Sequence, residues 1–172
     1  METKTGFIAS SFDIMHPGYA LMLKECKDHC NYLVAALHVS PEWEREDKNI
    51  PIMSLNERFL VLKSVRYIDE IAPYSNEDEL TNLLKFYSPD IRFLGSDYDT
   101  PEMKAKITGR LLCKDTHYIS RFHDYSSSGI RTKIYLAEIY KEETKKKVLA
   151  WLIKEINNML NLFRESETID IM

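Results

Sequence analysis

The chain has 172 residues, the size of one ordinary domain, with 44% hydrophobic and 29% charged residues. A domain of this size buries enough apolar surface to fold without disulfides or a structural metal. Its formal net charge of −4 argues against a general nucleic-acid binder, whose domain would ordinarily be basic.

The first apolar run, Gly6 to Ser10, is too short for a signal peptide or a membrane span and reads as a short strand. Pro17 opens a helix that continues to about His29, with proline suited to its first turn. Three cysteines, Cys26, Cys30 and Cys113, with no secretory leader, read as reduced thiols in a cytoplasmic protein. Cys26 and Cys30 lack the remainder of a zinc ligand set at any usual spacing, so packing is the expectation for both. The run from Tyr32 to Val39 is continuously apolar, as a central parallel strand should be. A charged loop follows, from Pro41 to Pro51.

Ser54 and Glu57 have the spacing of a capping box and open a helix through Val65. Ile68 to Ala72 is expected as the third strand, and Asn76 to Tyr87 as a helix stopped by Ser88-Pro89. Asp90 to Gly95 is the fourth strand; Pro101 to Leu112 fits either helix or loop; Thr116 to Ser120 is the fifth strand. From Ile130 to Arg164 the chain is nearly all helix, with Val148, Leu152, Ile156, Met159 and Phe163 as an apolar stripe for the core or a partner subunit. The alternation predicts an α/β fold, a doubly wound parallel five-stranded sheet of Rossmann-like order 3-2-1-4-5. Residues 1–143 would form the main domain and 144–172 its helical C-terminal extension.

The motif segments fall where such a sheet binds ligands, beyond the carboxyl ends of strands one, four and five. His16-Pro17-Gly18-Tyr19 sits at a strand-to-helix turn, where free backbone N–H groups favour phosphate. His16 can donate a hydrogen bond to a phosphate, and Gly18 clears space for it. Alone, this tetrapeptide would more simply be a helix start with an unengaged histidine. Ser126, Ser127 and Ser128 stand at another helix start, with Arg121 upstream and Arg131 one turn in. They can cap that helix or bind phosphate oxygens. Lys48 is a further candidate cation in the charged loop.

Together these residues carry a resemblance. Ser11 through Tyr19 is similar to the Thr-Phe-Asp-x-x-His-x-Gly-His signature of the cytidylyltransferase-like nucleotidyltransferase superfamily. Arg66-Tyr67-Ile68-Asp69-Glu70-Ile71 resembles a segment of the glycerol-3-phosphate cytidylyltransferases. So do Pro89-Asp90 through Gly95-Ser96-Asp97-Tyr98, and Arg121 followed by the three serines. The serine segment also resembles the Ser-Ser-x-x-Ile-Arg of nicotinamide-nucleotide adenylyltransferases, so it does not select the base.

The resemblance implies transfer of CMP from CTP to a small phosphorylated acceptor, with Mg²⁺ carried mainly on the nucleotide phosphates. His16, Lys48 and Arg121 would act on the reacting phosphates. Ser10, Ser11, Phe12, Asp13, Gly18, Tyr19, Arg66, Asp69, Gly95, Asp97, Ser126, Ser127, Ser128 and Arg131 would line or brace the nucleotide pocket. An adenylyltransferase, or a catalytically weak nucleotide-binding protein, is the alternative. The partners expected are an NTP, a phosphorylated acceptor and a second copy of the chain, with no nucleic acid or membrane. Two positions depart from the signature: Tyr19 stands where the family has its second histidine, and Ser10 where it has glycine. A phenol cannot carry positive charge near neutral pH.

Overall fold

Short apolar runs separated by capped helices dictate the architecture. The structure, a computed structural model, describes residues 3–43 and 49–169, with side chains in the last helix followed to residue 160. Five strands, β1 (Thr5–Ser10), β2 (Tyr32–His38), β3 (Glu70–Tyr74), β4 (Ile91–Gly95) and β5 (Asp115–Ile119), form one sheet. Its order is β3-β2-β1-β4-β5 and every pairing is parallel, as the sequence predicts. The chain reverses its direction of travel across the sheet between β3 and β4. The carboxyl ends of β1 and β4 therefore flank the topological switch point.

Successive strand residues point to opposite faces, so the sheet carries two cores. Ile8, Leu33, Ala35, Leu37, Ile91 and Phe93 pack with Leu23 and Cys26 of α1 (Pro17–His29) and Leu62 of α2 (Leu55–Lys63). On the other face Phe7, Val34, Ala36, Ala72 and Tyr74 pack with Leu80 and Leu84 of α3 (Glu77–Tyr87). Each fully buried leucine or phenylalanine contributes about 1.5–3 kcal/mol. Cys26 and Cys30 belong to the first core, and the Cys30 thiol donates to the Cys26 carbonyl oxygen at 3.2 Å.

Local signals set the helix starts. Ser54 and Glu57 form the reciprocal capping box. Asn76 caps α3 by accepting from the Glu79 N–H, and α3 ends at Ser88 in the left-handed region. β3 begins at Glu70, two residues later than expected. The chain leaves α2 through successive tight turns, Val65 N–H to Leu62 O at 3.0 Å and Ile68 N–H to Val65 O at 3.2 Å, which keep Ile68 out of the sheet. β3 then runs through Pro73, tolerated because an edge strand pairs on one side only.

The ambiguous segment after β4 resolves into short α4 (Pro101–Ala105) and a 3-10 turn at Arg110–Leu112. Beneath it Arg92, a buried cation on β4, donates to the Thr108 carbonyl.

The chain divides into two compact units, Met1–Ser127 and Ser128–Met172. The second is almost entirely α5 (Ser127–Ile169), 43 residues of helix and about 64 Å long. It passes without interruption through residues 143 and 144, where the sequence reading placed the start of the extension. Of the apolar stripe, Val148, Leu152, Ile156 and Met159 are exposed; Phe163 lies outside the described side chains.

Candidate active site

Beyond Ser10 the chain makes a strained loop, with Phe12 at φ 48° and Ile14 at φ 52°. The left-handed region is disfavoured for any side chain and most of all for a β-branched one; such strain persists only where the surroundings over-determine it. Here they do. Phe12 is buried in the core beneath the loop. The Asp13 carboxylate, also buried, accepts from the N–H groups of Ile52 at 3.0 Å and Met53 at 2.9 Å. The Ser127 hydroxyl donates to the Asp13 carbonyl oxygen at 2.9 Å.

Arg58 completes the brace, a residue the sequence reading passed over. Its Nη1 donates to the carbonyl oxygens of Ser11 at 2.9 Å and His38 at 2.7 Å. Nη2 donates to Val39 O at 2.6 Å and Nε to Met53 O at 3.1 Å. One buried guanidinium thus ties the ends of β1 and β2 to the start of α2. Burial pushes its pKa down and the nearby Asp13 charge opposes that; an arginine stays cationic through such a shift. The available signal was its place one turn before Leu62 on the buried face of α2.

On this platform His16 is the N-cap of α1. Its Nδ1 accepts the Gly18 N–H at 3.1 Å, which leaves the ring proton on Nε2 in the neutral imidazole. The Tyr19 and Ala20 N–H groups bond to the His16 carbonyl at 2.9 and 3.2 Å. The first turn therefore does not present the free amides expected of it, because the N-cap side chain and carbonyl occupy them. What the turn offers instead is a neutral Nε2–H donor. The His16 pKa is lowered, chiefly by desolvation and further by His123 and Arg121 nearby.

Gly18 has a steric reason. A β-carbon built there would lie 2.8 Å from Cε1 of His16 and 2.8 Å from Cε1 of His123. The Tyr19 ring stacks against His16 with centroids 4.6 Å apart, and its hydroxyl lies 3.4 Å from Ser10 Oγ. The phenol is thereby turned toward the end of β1.

Arg121 is exposed in the segment after β5, at the same edge. Gly95 ends β4 with open space over its Cα, and Asp97 follows in an exposed 3-10 turn. Ser126 and Ser127 lead into α5; Ser128 and Arg131 belong to the second unit, in the first turn of that helix. Lys48 lies outside the described residues.

Two residues expected to line or brace the pocket lie elsewhere. Arg66 and Asp69 lie in the connection between α2 and β3, at the amino edge of the sheet, and do not line a pocket at the carboxyl edge. The Asp69 carboxylate accepts the Leu33 N–H at 2.6 Å and pairs with Lys27, while Arg66 donates to the Tyr67 hydroxyl at 2.8 Å. Asp13 is committed to the amides of residues 52 and 53 and braces the loop from behind. Its carboxylate is consequently no ready metal ligand. Among the described residues no group of three or more His, Cys, Asp or Glu side chains could hold a metal ion.

Residues 7–133 match the model of the family described as cytidylyltransferase-like. The chain belongs to that family. It is 32% identical over 135 residues to the bifunctional protein HldE of Helicobacter pylori strain J99, covering 77% of this chain and 28% of that protein. It is 39% identical over 85 residues to the ethanolamine-phosphate cytidylyltransferase of Mus musculus, covering 46% of this chain and 21% of that protein. The chain thus spans under a third of the length of these curated relatives. Among solved structures, the lipopolysaccharide core biosynthesis protein of Thermoplasma volcanium GSS1 superposes with a TM-score of 0.56 at 25% identity. That match covers 73% of this chain and all of the other. For this family member, no described helix is long and apolar enough to cross a membrane.

Proposed function

We propose that this cytidylyltransferase-like chain transfers a nucleotidyl group, CMP from CTP in the first instance, to a small phosphorylated acceptor. The observation that carries the reading is the neutral Nε2–H donor of His16, held on a braced turn at the carboxyl edge beside Arg121. An oxygen of the acceptor phosphate attacks the α-phosphorus in line. The new P–O bond forms as the bond to the α,β-bridging oxygen breaks, and pyrophosphate leaves with that electron pair. No proton transfer is required when the acceptor phosphate is a dianion. Catalysis is then positioning and charge stabilisation.

His16 donates from Nε2 to an α-phosphate oxygen, and Arg121 offsets charge on the phosphates. Ser126 and Ser127 border the path of the leaving pyrophosphate. Magnesium bound to the nucleotide would supply further neutralisation of the phosphates. Gly95 and Asp97 border the open ground for base and acceptor. CTP is favoured because the Arg121-to-serine spacing and the ethanolamine-phosphate relative both point to the cytidylyl branch. The acceptor class extends to phosphorylated alcohols, amines and sugars. The exposed apolar face of α5 would pair with a second copy of the chain, a state that light scattering reads directly.

The test is pyrophosphate release from CTP, ATP, GTP and UTP. Each is paired with glycerol 3-phosphate, phosphoethanolamine, phosphocholine and sugar 1-phosphates. Release with CTP and one acceptor supports the reading. Release with ATP alone moves the chain to adenylyl transfer, and tight CTP binding without release across the panel refutes catalysis.

A further inference from the structure

His123 lies between Arg121 and the three serines, inside a segment that resembles the family but at a position to which the resemblance gives no role, and it faces the same turn as His16. Its Cε1 stands 2.8 Å from the position of a Gly18 β-carbon, as does Cε1 of His16. Because Cε1 is bonded to both ring nitrogens, a ring presenting that edge presents its hydrogen-bonding atoms to the turn. Nδ1 of His123 is buried and has no hydrogen-bond partner among the described residues. The Tyr125 ring, with its centroid 5.1 Å away, covers the imidazole.

Two further observations point to an anionic ligand. The His16 pKa is lowered by burial and further by the neighbouring His123 and Arg121, which places all three basic groups near one another. Two imidazoles meet over Gly18 with a guanidinium close enough to act on one of them, and positive charge gathered there is unfavourable until an anion enters. A buried imidazole nitrogen without a partner is also unfavourable until it meets one. Tyr19, meanwhile, directs its hydroxyl to Ser10. The second imidazole over Gly18 therefore comes from the segment after β5.

We propose that His123 is a catalytic residue that contacts the phosphates of the bound nucleoside triphosphate beside His16, taking the place that a histidine at position 19 would fill. It acts as a hydrogen-bond donor and transfers no proton, so the balance of the reaction is unchanged. The proposal rests on the nucleotidyl-transfer reading above.

The test is a double-mutant cycle of His123→Ala and Tyr19→His, read as kcat/KM for pyrophosphate release. His123→Gln and a thermal melt of each variant control for folding. We expect His123→Ala to lower kcat/KM about 10²-fold with an unchanged melt. Tyr19→His should then restore about tenfold or more in the His123→Ala background while changing the parent less than about threefold. A loss below about threefold on His123→Ala, or the same factor for Tyr19→His in both backgrounds, would overturn the proposal.

If the parent releases no pyrophosphate with any pair, the transfer reading fails and His123 is judged by binding alone. A rise of about tenfold in the Kd for CTP or inorganic pyrophosphate on His123→Ala would still support a phosphate contact. An unchanged Kd would refute it.

Discussion

Two connections in this fold carry the family resemblance equally in sequence and differ entirely in what they do. The β1–α1 loop, Ser11 to Met15, leaves the carboxyl edge of a central strand and delivers His16 and Gly18 to the switch point. The α2–β3 connection, with Arg66 and Asp69, turns at the opposite edge and closes the end of the sheet through Leu33 and Lys27. In a parallel sheet the carboxyl edge holds loops that can diverge around a ligand, while the amino edge mainly returns the chain. A residue shared with a family can thus belong to the site or to its scaffold, and its edge of the sheet decides between them.

The sharpest way to test that division is His16→Ala. It removes the Nε2–H donor and should lower kcat/KM for pyrophosphate release by about 10²–10³-fold. Stability in the thermal melt should fall only by the loss of the one N-cap bond from the Gly18 N–H, about 1 kcal/mol. Arg58→Met should act in the opposite manner. It strands the carbonyls of Ser11, Met53, His38 and Val39 and should destabilise the fold by about 3 kcal/mol in urea unfolding. Activity should be lost only as far as the strained loop relaxes. A silent Arg58→Met would show that the loop is held by other means.

A smaller effect concerns pH. The folded-state pKa of His16 is depressed below the ordinary 6.5. The unfolded chain therefore takes up the proton first as pH falls through 6.5. The contribution of neutral His16 to stability is complete above that value and is lost as pH falls through the lowered folded value. Protonation of Nδ1 would break its bond from the Gly18 N–H. NMR titration of the imidazole should give a midpoint below 6.5, whereas one above it would contradict the Nδ1 bond.

Smallest of all should be Asp69→Asn, which weakens a part-exposed pair with Lys27. Stability should fall by about 1 kcal/mol or less, with kcat/KM within about twofold of the parent. A loss of turnover comparable to that of His16→Ala would erase the distinction between the two edges.

Much of the fold was legible because its signals are local. The capping box of Ser54 and Glu57, the Asn76 cap and Pro17 each mark a helix start within one turn of chain. The apolar run of β2 could only be a strand covered on both faces. The misplaced start of β3 has a local cause too: Ile68 is apolar and β-branched, but tight turns after α2 hold it outside the sheet. At the candidate site His16, Gly18 and Arg121 were legible from motif spacing, and the structure gathers them at one edge. Asp13 was legible as a residue that lines or braces the pocket, but the amides it holds were not, because they lie 39 and 40 residues away. Arg58 belongs to no motif and His123 is an unassigned position inside one, and the roles of both depend on what other elements bring to them.

The strained and crowded turn at Gly18 shows where the two levels part. By itself the sequence determined the order of strands and helices, the family, and the histidine at the helix start, all of which follow from caps, periodicity and fixed spacing along the chain. Only the tertiary structure decided which charges meet. It turned Asp13 and Arg58 inward as supports, set Arg66 and Asp69 at the far edge, and laid His123 over Gly18 beside His16. Electrostatics and hydrogen bonding act through distances in space, and sequence separation does not fix those distances until the sheet has brought its edges together.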